Sequence, residues 1–161
     1  MKFKSFGWNG LTFKIPQEAR LTSEGGDVKS GDMKLESENY FFDIAWVQDQ
    51  SKKPKPISEI ADGFVKKLEK RKKQRFTVEG ERSTRIFGHN ALLLSLKSEM
   101  DQRIYFWRCE ETNRTMTFNF VFKSMDTISQ TIIRQVLASL KCHGEETNEW
   151  TVLEFSFKAP Q

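Results

Sequence analysis

The stretch TMTFNFVFK, residues 115–123, most narrowly limits what this chain can fold into. In an extended strand successive side chains point to opposite faces, so Met116, Phe118, Phe120 and Phe122 project one way and Thr117 and Asn119 the other. Four large apolar groups on one face of a strand demand an apolar layer against them. Residues 40–47, YFFDIAWV, repeat the pattern: Tyr40, Phe42, Ile44 and Trp46 share one face, and Phe41, Asp43, Ala45 and Val47 the other. Whatever the fold, it must hold such strands in a sheet and cover that aromatic face.

Further period-2 stretches predict strands over residues 11–15 (LTFKI, ended by Pro16), 32–36, 91–98 and 102–110. Residues 76–79 and 82–87 read as one bent strand kinked at Gly80, with a turn at Gly88-His89-Asn90 behind it. Residues 111–114 (ETNR) join the last two strands as a hairpin. Two segments have helical spacing instead. After a Pro-containing connection at 49–56, Ile60, Phe64 and Leu68, flanked by Ala61 and Val65, form an apolar stripe. Ser58 is the expected N-cap and the helix is expected to run to about Gln74. From Asp126, an expected N-cap, Ile128, Ile132, Ile133, Val136, Leu137 and Leu140 mark a second helix. Lys141 and His143 are expected at its negative end, with Gly144 as the stop.

The order is βββ-α-ββββ-α-(β). Strands come as consecutive hairpins, which predicts an α+β fold with a mainly antiparallel sheet of about six or seven strands and two helices packed on it. The arrangement resembles the PsbP/DcrB-like superfamily of small α/β proteins. The resemblance covers about residues 8–143 and rests on the strand ending Ile15-Pro16, the early hairpin, the Ile60–Leu68 helix, the run of central strands and the closing helix ending Leu137-Ala138-Ser139-Leu140. Where such families place an aromatic soon after that proline, this chain has Gln17-Glu18-Ala19-Arg20. The resemblance implies a domain over 1–144 that serves in binding, assembly or chaperoning without catalysis, and no family motif maps functional residues onto this chain.

At 161 residues, with 14 Phe and 4 Trp among 30% charged residues, one domain with a core of few, large side chains is expected. No apolar run reaches signal-peptide or membrane-span length, and two cysteines make no disulfide framework, so a reduced, cytoplasmic protein is expected. The charge is unevenly placed. Residues 52–75 hold ten Lys/Arg against three acids, a net +7, so the rest of the chain carries −3. Lys66, Lys67, Lys70 and Lys73 form a cationic ridge opposite the apolar stripe, with Arg75 just beyond. Such a surface suits a protein partner, nucleic-acid phosphates or an anionic membrane surface. It is also what an ordinary solvated helix face looks like, and no aromatics interleave to stack on bases.

The phrase WNGLTFKIP at 8–16 is nearly restated by WTVLEFSFKAP at 150–160, with Trp8, Leu11, Phe13 and Ile15 matching Trp150, Leu153, Phe155 and Phe157. Residues 145–161 therefore read as a linker plus a strand. That strand either opens a second related unit of a tandem protein or completes this sheet.

Catalytic signatures are missing. There is no GxSxG, Walker loop or GxGxxG. Glu110-Glu111 are adjacent carboxylates of the kind that solvate a turn, and Trp46 and Trp107 on strands read as core. The two His and two Cys show no metal-ligand spacing: His89 reads as an exposed turn residue and His143 as a complement to a helix end. No cofactor and no metal are expected. The functional expectation is a non-catalytic interaction or assembly module, with polyanion binding through residues 52–75 as the alternative.

Overall fold

The computed structural model describes residues 1–143; the second W-x-x-L-x-F phrase and the stop expected at Gly144 lie outside the described residues. The chain runs β1 (Phe3–Trp8), β2 (Leu11–Pro16), β3 (Arg20–Gly26), β4 (Ser30–Glu36), β5 (Tyr40–Gln48), α1 (Ile57–Lys72), β6 (Thr77–Ile86), β7 (His89–Lys97), β8 (Asp101–Cys109), β9 (Arg114–Phe122) and α2 (Thr127–Ser139). Seven strands form one antiparallel sheet in the order β3-β4-β5-β9-β8-β7-β6, and β1-β2 is a separate hairpin. The fold is α+β with two helices, in the order the hydrophobic pattern predicts.

The strand TMTFNFVFK sits at the centre of this sheet, between β5 and β8. The register sets Phe42 opposite Phe120, Ile44 opposite Phe118 and Trp46 opposite Met116, so the two aromatic strands share one face. Each of these six side chains is buried. Onto that face pack Leu11, Phe13 and Ile15 of β2 and Ile132, Ile133 and Val136 of α2. On the opposite face Ala61 and Leu68 of α1, with Phe64 beside them, cover Leu94, Leu96, Ile104 and Phe106. Alternation along β7 and β8 (Leu93 to one core and Leu94 to the other, Tyr105 and Phe106 likewise) puts the helices on opposite faces.

Two strands join those expected. β3 is exposed at nearly every position and is held by main-chain pairing to β4 at the sheet edge, so it has no apolar alternation to reveal it. β1 pairs with β2 across Asn9-Gly10, both with positive φ (48° and 82°). That is the conformation a two-residue hairpin of primed type needs and Asn-Gly supplies. The bend at Gly80 is a register shift between Val78 and Gly80 within the single strand β6.

The helix ends differ from expectation. α1 starts at Ile57 behind Pro56 (φ −57°, ψ 146°) and has no side-chain cap, so Ser58 lies inside the helix, and the helix stops at Lys72 with Lys73 left-handed. Asp126 caps α2 as expected, its carboxylate accepting from the Ser129 N–H at 2.8 Å. Ile128, however, points to solvent at 58% exposure, and Ser129 is buried instead. α2 ends at Ser139, where Leu140 turns extended. Lys141 then bridges to β2 through Thr12 N–H to Lys141 O (3.0 Å) and Lys141 N–H to Thr12 O (2.8 Å). Tertiary pairing thus ends the helix before Lys141 or His143 can reach its negative end.

Arg114, the first residue of β9, is only 1% exposed. Its guanidinium donates to Asn9 O (2.6 Å) in the β1–β2 turn, Val28 O (3.2 Å) in the β3–β4 turn and Cys142 O (3.1 Å) beyond α2. Gly10 is required beside it: a Cβ there would lie 3.2 Å from Arg114 Nη2, at a φ of 82° that side chains rarely adopt. Arg114→Ala takes the donor from Cys142 O, which is buried, and from the part-buried Asn9 O and Val28 O, and an unsatisfied buried acceptor costs about 1–3 kcal/mol. The variant is expected to lose about 3 kcal/mol or more in denaturant unfolding; a loss within error would show that the clamp contributes nothing. Asp126 supplies a pH dependence. Hydrogen bonds from the Ser129 N–H hold its carboxyl below the usual range. Its stabilising contribution is therefore full above the unfolded value of about 4 and lost as pH falls through the lower folded value. Asp126→Ala should lower Tm at neutral pH, with the gap to the parent closing on acidification, as thermal melts across pH will show.

Candidate functional site

Two places in the described residues combine chemistry with geometry. The first lies at one end of the sheet. The β6–β7 turn is made by Phe87 and Gly88 with positive φ (47° and 82°), between the paired residues Ile86 and His89. This shifts His89 out of the turn where it was expected and into the first position of β7, with its side chain only 11% exposed. The β7–β8 register sets Ala91 opposite Trp107; two residues further on, the same register carries His89 beside Cys109. The Lys141 bridge to β2 delivers Cys142 and His143 to the same spot.

One ligand-type atom each from His89, Cys109, Cys142 and His143 lies within 4.8 Å of all the others. Cys109 Sγ is 3.3 Å and Cys142 Sγ 3.6 Å from His143 Nδ1. Both cysteines are free and fully buried, and His89 Nε2 is sealed from solvent without a hydrogen-bond partner. Glu111 flanks the group, its Oε2 3.9 Å from His89 Nε2 and 3.8 Å from His143 Nδ1. Phe87 packs on His143 with ring centroids 4.9 Å apart.

The two thiols are shifted in opposite directions. A hydrogen bond from Cys142, opposed by burial, pulls Cys109 down to about 4. Cys142, donating that bond and buried, is held above the usual thiol range. Burial lowers the pKa of the adjacent Arg114, and negative charge on Cys109 and Cys142 opposes that shift. Among the described residues no carboxylate lies within ion-pair distance of Arg114, and the sulfur of Cys109 is the first of the negative charges that offset it. These four residues are the chain's entire complement of His and Cys. No local spacing betrays them, because they come from two strand ends and a post-helix segment.

The second place is an open groove of about 920 Å³ between α2 and the face of β6, β7 and β8. Its floor includes Leu93, Tyr105, Ile133 and Leu137, and four arginines line it: Arg82, Arg85, Arg103 and Arg134. Glu81 is the single acid in that lining. None of the four arginines is ion-paired among the described residues. Arg85 donates to Asn90 Oδ1 (3.1 Å) and Gly88 O (2.5 Å), and Arg103 to Gln102 O (3.1 Å). Burial raises the pKa of the Tyr105 phenol, and the nearby charges of Arg82 and Arg103 oppose that rise.

Lys66, Lys67 and Lys70 are exposed on α1, Lys73 is its left-handed C-cap and Arg75 is exposed beyond it. They lie on a convex helix surface, whereas the groove is concave. Trp46 and Trp107 are fully buried core residues. No helix among the described residues is long and apolar enough to cross a membrane.

No family model and no curated protein matches this sequence. Among solved structures, the chain is similar to cyanobacterial PsbP (CyanoP) from Synechocystis sp. PCC 6803 in its solution structure. The TM-score is 0.68 at 11% identity, over 86% of this chain and 91% of that one. At that identity the likeness is one of fold: the chain has a PsbP-like α+β fold.

Proposed function

We propose that the chain is a non-catalytic interaction module that takes an acidic segment of a partner protein in the groove between α2 and β6–β8. The observation that carries this reading is that, among the described residues, four arginines without ion pairs, Arg82, Arg85, Arg103 and Arg134, line one concavity with a single acid. Like charges gathered in a concave site repel one another and favour an incoming anion. Guanidinium groups bind carboxylates bidentately, while Leu93, Ile133 and Leu137 offer apolar contact to side chains between those carboxylates. A groove of this size and mixed lining suits a peptide segment better than the convex Lys66–Arg75 surface does. Two free thiols fit the reducing, cytoplasmic setting expected for the chain. The near-repeat of the opening phrase supports a place as the first unit of a tandem protein, for which a longer parent reading frame is the test.

Fluorescence anisotropy with labelled peptides alternating glutamate and leucine tests the binding surface, with heparin as the competing polyanion. Binding is expected to weaken with salt. It should fall about tenfold or more in Arg134→Glu and in Arg82→Glu, since each lost charge-assisted contact is worth about 1.5–3 kcal/mol. Reversing Lys66, Lys67, Lys70 and Lys73 together should leave it unchanged. Heparin retention abolished by the lysine reversals but untouched by the arginine ones would instead place anion binding on α1.

A further inference from the structure

We propose that His89, Cys109, Cys142 and His143 form a closed, tetrahedral site for one Zn²⁺ ion, which fastens the segment after α2 to the end of the sheet. The spacing fits such an ion. With Zn–S of about 2.3 Å and Zn–N of about 2.0–2.1 Å, tetrahedral ligands stand roughly 3.3–3.8 Å from one another. Cys109 Sγ and Cys142 Sγ lie 3.3 and 3.6 Å from His143 Nδ1, and all four ligand atoms lie within 4.8 Å of each other. Small adjustments of side-chain torsions bring the widest pairs to bonding positions.

The state of the individual groups points the same way. A buried polar nitrogen without a partner is costly, and His89 Nε2 is one. A metal bond would satisfy it, with its lone pair as donor. Two thiolates and two imidazoles form a soft-to-borderline set that suits zinc and discriminates against calcium or magnesium, which take oxygen. Binding releases the thiol protons, and the two thiolate charges cancel that of the ion. The centre is then neutral, and the carbonyls of Asn9, Val28 and Cys142 remain to solvate the cation of Arg114. Protein side chains occupy all four positions, as in a structural site; a catalytic zinc keeps one open.

The connectivity gives the ion a mechanical role. His89 begins β7, Cys109 ends β8, and Cys142-His143 follow α2. Among the described residues the main chain of that last segment is held by two hydrogen bonds with Thr12 and, at Cys142 O, by Arg114 and the Cys109 thiol. Zinc would join it covalently to two strands of the large sheet, and so stiffen the point where the chain leaves the described domain.

The test uses the full chain, reduced and freed of metal, titrated with Co²⁺ and Zn²⁺. Cobalt is expected to bind with a stoichiometry of one, with the intense visible d–d bands of tetrahedral geometry and an ultraviolet thiolate-to-cobalt band, and zinc should displace it. Cys142→Ser should roughly halve the thiolate-to-cobalt band and weaken binding, and Cys109→Ser with Cys142→Ser should abolish it. His89→Gln and His143→Gln, which keep both thiols, should stay folded by circular dichroism and lose about tenfold to a hundredfold or more in affinity, at least the cost of removing an outer-shell partner. A chelator should lower Tm of the zinc-loaded parent but leave that of His89→Gln nearly unmoved. The proposal is overturned if the reduced, folded parent gives only weak octahedral cobalt bands. It is equally overturned if the histidine variants bind as the parent does, or if the protein is isolated with a Cys109–Cys142 disulfide and takes up no metal once that bond is reduced.

Discussion

The buried guanidinium of Arg114 is the contact on which the assembly of this molecule turns. A cation with 1% exposure survives only if its donors are filled and its charge is answered. Main-chain carbonyls of three separate segments and the Thr112 hydroxyl take its donors, and the Cys109 sulfur offsets the charge. One side chain thereby couples the docking of the β1–β2 hairpin, the closure of the β3–β4 turn and the path of the chain after α2. The hairpin turn Asn9-Gly10 suits the same place: Gly10 takes a positive φ that side chains rarely adopt, and a Cβ there would press on the guanidinium at 3.2 Å.

The central sheet is covered unequally. α1 lies on β7 and β8 on one face. On the other face the hairpin and α2 cap the aromatic rows of β5 and β9, and the stretch over β6–β8 remains open as the arginine-lined groove. The groove and the His/Cys cluster are neighbours. Phe87 lines the groove and packs against His143, and Leu140 lines it two residues before Cys142. Chemistry that settles the cluster therefore settles one wall of the groove.

Much of the sheet was legible because burial on one face imposes period-2 alternation. Residues 40–47 and 115–123 declared themselves strands, and both proved central, with their apolar faces inward. The Asp126 cap was legible for a local reason too, since capping involves residues three apart. β3 was not, because an edge strand exposed at nearly every position is defined by main-chain hydrogen bonds that composition does not report. The start of α1 was missed because Pro56, with no side-chain oxygen, takes the cap position that a serine usually fills. β1 carried a readable signal in Asn9-Gly10 that its irregular alternation obscured.

By itself, the sequence determined an α+β domain: the spacing of apolar residues settles which segments are strands and which helices, and consecutive strands without intervening helices impose antiparallel pairing. It also held all the cluster's ingredients, two histidines and two cysteines, without a spacing to link them. Tertiary structure alone decided that they meet. Extended two residues past Ala91–Trp107, the β7–β8 register brings His89 beside Cys109, and the segment that bridges to Thr12 at Lys141 carries Cys142 and His143 to them. The groove has the same origin, since Arg82, Arg103 and Arg134 belong to three elements separated in the chain. Local patterning reports which face of an element is buried, whereas a site made from several elements exists only once their packing has fixed how those faces meet.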